Sequence, residues 1–102
     1  KARHGEPGCE EEVFAAIEQI RAICSEIDQP MANVALAWLL QQPGVTSAIA
    51  GARRPHQIRQ TAEAVDLALS PEIVSRLTKA TEAVKLAIGP NPDMWQTASR
   101  FR

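Results

Sequence analysis

One run of β-branched and small residues, Val45-Thr46-Ser47-Ala48-Ile49-Ala50, stands alone among segments of helical pattern. A strand is stable only when its backbone N–H and C=O groups are paired. Each such group buried without a partner costs about 1–3 kcal/mol. No second convincing strand exists in the sequence, so the pairing partners are expected outside it. The chain has 102 residues, enough for one compact core and too few for two ordinary domains. Together these facts predict a piece of an α/β architecture, mostly helical with one or two short strands. The opening Lys1-Ala2-Arg3-His4-Gly5, polar and without an initiator Met, fits a chain that begins inside something larger.

The helices are read from apolar spacing. Across residues 10–27 Val13, Ile17, Ile20, Cys24 and Ile27 recur at steps of three and four, with Glu10, Glu11 and Glu12 in the first turn at the positive end of the helix dipole. Pro30 is placed to open a second helix running to about Gln42. Its run Val34-Ala35-Leu36-Ala37-Trp38-Leu39-Leu40 is apolar on every side, which requires cover on more than one face. Pro43-Gly44 turns the chain into the β-rich run, and Pro55 opens a third helix whose inner face is expected to carry Ile58, Thr61, Ala62 and Val65. Ser70 is expected to cap a fourth helix opened by Pro71, carrying Ile73, Leu77, Ala80, Thr81 and Val84 and ending at Gly89-Pro90. This divides the chain into a lead-in (1–9), a folded body (10–88) and a tail (89–102) in which Met94-Trp95 could dock on a core.

Several function classes are disfavoured. Lys and Arg number 11 against 12 Asp and Glu, and no basic run exceeds Arg53-Arg54, so nucleic-acid binding by counterion release has little to act on. The longest apolar stretch falls far short of the roughly 20 residues that cross a bilayer. No secretory leader is visible, and two cysteines do not make a disulfide framework, which together point to the cytoplasm. Cys9, Cys24, His4 and His56 lack zinc-ligand spacing, so no metal site is expected. Ser25, Ser47, Ser75 and Ser99 have no His and acid arranged around them, and no catalytic residue is assigned.

The segment with chemical potential is β-run, small-residue loop, arginine, then helix. Gly51 and Ala52 permit close approach to the backbone, and N–H groups at a helix start attract an anion. Arg53 adds a bidentate fork suited to phosphate oxygens. Gln57, Gln60 and Thr61 then bring amide and hydroxyl groups within one turn of each other, able to meet a base edge or ribose. The bland alternative is a wet helix face, with Arg54 and Arg59 simply in solvent.

Several motifs in combination carry a resemblance. The apolar helix with Ala35-Leu36-Ala37-Trp38, the run ending at Ala50, Gly51-Ala52-Arg53 with Gln57 four residues on, and Leu69-Ser70-Pro71-Glu72 resemble the last part of the aldo-keto reductase family. The tail Gly89-Pro90-Asn91-Pro92-Asp93-Met94-Trp95-Gln96 resembles the ends of bacterial members. The resemblance implies a C-terminal fragment of a TIM (β/α)₈ barrel, with residues 45–50 as its eighth strand. Barrels of this kind often hold phosphate in the loops after their last strands.

The same resemblance implies NADP(H) as cofactor, with Gly51 and Ala52 giving backbone contacts, Arg53 facing the adenosine 2′-phosphate, and Gln57 meeting the adenosine. Many members carry Lys-Ser where Gly51-Ala52 stand, and Glu-Asn where this chain has Gln60-Thr61. The family's catalytic Asp, Tyr, Lys and His belong to earlier strands and loops, and this sequence holds no Tyr. The parent is thus expected to reduce a carbonyl substrate, while this chain supplies cofactor affinity. The alternative is a non-catalytic helical interaction module that self-associates through its apolar second helix.

Overall fold

The structure is a computed structural model that describes residues 8–90. Five α-helices follow one another: α1 (Glu10–Glu26), α2 (Met31–Leu40), α3 (Pro55–Glu63), α4 (Pro71–Ala80) and α5 (Glu82–Ile88), with a 3₁₀ turn at Ala64–Asp66. The expectation for the tail at Met94-Trp95 lies outside the described residues.

The core forms where α1, α2 and α4 meet. Ile23 and Cys24 from α1, Val34 and Ala37 from α2, Leu69 from the linker and Leu77 from α4 pack as one buried cluster, and Trp38 covers its edge. Burial pushes the Cys24 thiol above its ordinary range, since the apolar surroundings disfavour a thiolate. The Trp38 indole N–H donates to Thr78 Oγ1 at 3.1 Å, and that hydroxyl donates onward to the Val74 carbonyl at 2.9 Å. Trp38 therefore packs as expected and also locks α2 to α4. Among the described residues no helix is long and apolar enough to cross a membrane.

Local signals act where the sequence places them. Ser70 Oγ accepts from the Ile73 N–H at 3.2 Å, with Pro71 as the first residue of α4. Helix α1 closes in a Schellman arrangement: Gln29 N–H donates to the Cys24 carbonyl at 3.1 Å and Asp28 N–H to Ser25 at 3.2 Å. This puts Asp28 in the left-handed region with φ 52°. Pro30 is the residue before α2 rather than its first, and the helix ends at Leu40 instead of Gln42.

Three expectations are corrected. The run 45–50 is neither helix nor strand among the described residues, and Ile49 is fully exposed. A strand is defined by its ladder, and no neighbouring strand stands among the described residues to make one. The described fold is accordingly all helical in its regular elements. Second, Ile58 (61% exposed) and Val65 (74%) do not form an inner face of α3, and Ala62 is exposed as well. Helix α3 packs chiefly on α2 and the 3₁₀ turn, so Ala64 is buried in place of the larger apolar residues. Third, the fourth helix is two helices. At Thr81 the hydroxyl donates to the Thr78 carbonyl at 3.0 Å, and the backbone turns with φ −97° and ψ 0°. A threonine hydroxyl that bonds back to the preceding turn favours such a break.

Candidate functional site

The loop of Gly51, Ala52, Arg53 and Arg54 leads into α3, and Pro55 starts that helix with its fixed φ and no N–H to satisfy. Arg54 is the extended N-cap, at φ −133° and ψ 149°. Gln57, three residues into the turn, folds its side chain back. Its Oε1 accepts from Arg53 N–H at 2.8 Å and from Arg54 N–H at 3.1 Å. The Gln57 N–H itself donates to the Arg54 carbonyl at 3.0 Å. An arginine side chain has no acceptor, so the capping here runs one way, from the backbone to Gln57.

This arrangement changes the roles read from sequence. Two loop N–H groups that could face an anion are already satisfied by Gln57, and the amide of His56 remains as the N–H at the helix start without that cap. The positive potential of the loop then rests on the helix dipole and on Arg53. Arg53 is exposed, and among the described residues its side chain makes no ion pair. Gly51 sits where an added Cβ would meet no protein atom within 4 Å, so its backbone borders open space.

A cleft of about 550 Å³ is lined by Ala32, Asn33, Gly51, Ala52, Arg53, Gln57, Gln60 and Thr61. All six residues expected from sequence thus border one concavity, and Gln60 and Thr61 are half-buried. Arg54 and Arg59 are not among its lining residues. A concavity of about 300 Å³ between α1, α2 and α4 differs in character: it is lined by Ile20, Val34, Trp38 and Leu77 with no charged residue, which suits packing more than recognition of a polar ligand.

Two lining residues were missed by sequence reasoning, Ala32 and Asn33 from the start of α2. Asn33 is 4% exposed, and its Oδ1 is buried with no hydrogen-bond partner among the described residues. Leaving such an oxygen unpaired costs about 1–3 kcal/mol. The signal was available, since Asn33 is the only amide side chain in an otherwise apolar α2.

Comparison with known proteins agrees with the motifs. The family model described as the aldo/keto reductase family matches residues 2–82. The uncharacterized oxidoreductase YrpG of Bacillus subtilis is 41% identical over 61 residues, 60% of this chain and 19% of that protein. A putative voltage-gated potassium channel subunit beta of Schizosaccharomyces pombe is 34% identical over 74 residues, 71% of this chain and 22% of its own length. The NADH-specific methylglyoxal reductase of Escherichia coli is 29% identical over 73 residues, 72% and 22% of the two chains. The chain spans about a fifth of the length of the curated relatives it matches. With more than half of its residues inside the family match, and with the loop and helix motifs in order, the chain belongs to the aldo/keto reductase family.

Proposed function

We propose that this chain is the cofactor-gripping part of an oxidoreductase that reduces aldehydes or ketones with a nicotinamide cofactor, and that it holds the adenosine 2′-phosphate end of NADP(H). The observation that carries the reading is the single cleft bordered by Gly51, Ala52, Arg53, Gln57, Gln60 and Thr61. Its residues fit such a group: an exposed guanidinium suits a phosphate, open space borders Gly51, and a buried carboxamide oxygen at Asn33 lacks a partner among the described residues. In this reading residues 45–50 are the eighth strand of a TIM barrel, laddered to strands elsewhere in the protein, which accounts for a β-rich run with no ladder of its own.

The bound cofactor supplies the hydride, and this chain's residues bind and orient it. Arg53 confers preference for the 2′-phosphate, the feature that separates NADPH from NADH. The name of the E. coli relative records the opposite specificity in that protein, so family membership alone does not fix the preference. A carbonyl substrate is received by the rest of the protein.

The test is steady-state kinetics on the full-length protein. Arg53→Ala is expected to raise KM for NADPH about ten- to hundred-fold, the range given by a charge-assisted contact of about 1.5–3 kcal/mol, with little change in KM for the carbonyl substrate. Equal effects on both constants, or none, reject the reading. The alternative of a self-associating helical module draws on the exposure of Ile58 and Val65. Sedimentation of this chain with and without NADPH separates the two, because a module is indifferent to nucleotide.

A further inference from the structure

Asn33 is out of place by ordinary packing rules. It sits in the first turn of α2, is 4% exposed, and keeps a carboxamide oxygen buried without a partner among the described residues. Buried polar side-chain atoms are hydrogen-bonded in the large majority of cases, and an exception asks for an explanation. Asn33 also lines the cleft bordered by Gly51, Arg53, Gln57 and Thr61, so the residue with the unpaired group shares one concavity with the exposed Arg53.

From this we infer that Asn33 reads the base of the bound nucleotide, pairing with the N6 and N7 edge of adenine. The inference rests on the cofactor reading above and deepens it. A carboxamide offers an acceptor and a donor side by side, and adenine offers the reciprocal pair, the N6 amine and the N7 acceptor. Either rotamer of the amide keeps both functions, so the match does not depend on which atom is oxygen. Burial strengthens the selection. A ligand lacking the N6 donor leaves the Asn33 oxygen unpaired, and sites built to bond a substrate donor reject analogues without it. Helix α2 thereby acts on specificity at the base, while Arg53 acts on the phosphate.

The experiment is calorimetric titration of the full-length protein with adenosine 2′,5′-bisphosphate and with inosine 2′,5′-bisphosphate, which has a carbonyl in place of the N6 amine. The wild-type protein is expected to bind the adenosine form about ten-fold more tightly or better. In Asn33→Leu the two affinities converge to within about two-fold, while Arg53→Ala still weakens both. If Asn33→Leu does not fold, Asn33→Asp replaces it: a carboxylate still accepts from the N6 amine but meets the inosine carbonyl and N7 with acceptors only, so the preference for the adenosine form widens. Equal wild-type affinity for the two bisphosphates, a preference that survives Asn33→Leu, or one that Asn33→Asp leaves unchanged overturns the role of Asn33 and leaves the phosphate reading standing. Failure of Arg53→Ala to weaken either ligand, or binding of neither, rejects the phosphate reading itself.

Discussion

The side-chain amide of Gln41 pairs with both backbone groups of Leu69: its Nε2 donates to the Leu69 carbonyl at 3.0 Å, and its Oε1 accepts from the Leu69 N–H at 2.9 Å. Leu69 lies in the linker ahead of α4, where no helix or ladder satisfies its backbone, and its side chain is in the core. The end of α2 thus holds the linker as a neighbouring strand would. Gln41→Ala removes two neutral, partly buried hydrogen bonds worth about 0.5–1.5 kcal/mol each, for a loss of about 1–3 kcal/mol. Urea denaturation should show a lower midpoint with an unchanged slope, and Gln41→Glu should fall between the two, since a carboxylate accepts but cannot donate.

Glu26 and Arg76 join α1 to α4 through two hydrogen bonds, of 3.1 and 2.5 Å. The hydrogen bond from the Arg76 guanidinium, aided by its charge, lowers the Glu26 pKa against a smaller opposing effect of desolvation. A carboxylate with a depressed folded pKa adds stability that is present above its unfolded value, about 4.3, and is lost as pH falls through the folded value. Arg76, whose pKa is raised, stays charged throughout that window. Carboxyl titration by NMR should therefore place Glu26 below the ordinary range, and Arg76→Met should return it there. An unshifted Glu26 in the parent chain would count against the pair.

Gln57 serves the loop before it serves any ligand, because its oxygen already accepts two backbone donors. Gln57→Glu keeps that acceptor and should leave the thermal midpoint nearly unchanged. It should also weaken binding of a 2′-phosphorylated nucleotide by placing a negative charge beside Arg53. Gln57→Ala should cost about 0.5–1.5 kcal/mol of stability, with the two exposed N–H groups turned over to water. The opposite ranking of the two variants in nucleotide titration would remove the electrostatic account of the loop.

Asp28 occupies a left-handed backbone conformation at φ 52° to close α1. A β-carbon makes that conformation cost about 1–2 kcal/mol, less for Asp than for most residues, whereas glycine adopts it freely. Asp28→Gly should raise stability by about 0.5–1 kcal/mol, read from the denaturation midpoint. Asp28→Val should lower it by more than 1 kcal/mol. Equal stability of the three would mean that the Schellman closure does not constrain the chain in solution.

The sequence by itself determined what is decided within a turn or two of chain. Ser70 caps, Pro55 opens a helix, residues 10–26 wind with one apolar stripe, and the six residues around Gly51 and Arg53 gather at one place. These follow from capping chemistry, fixed proline φ and 3.6-residue spacing, which need no distant partner. The family motifs were equally legible, because they too are contiguous. Only the tertiary structure decided which apolar residues are covered, so Ile58 and Val65 stand in the open while Ala64 is buried. It also joined Gln41 to Leu69 across 28 residues and brought Asn33 into the lining of the loop cleft. Burial and long-range hydrogen bonding are set by what arrives from elsewhere in the fold. A single row of residues does not contain that information, and for residues 45–50 the ladder itself is not found within the described chain.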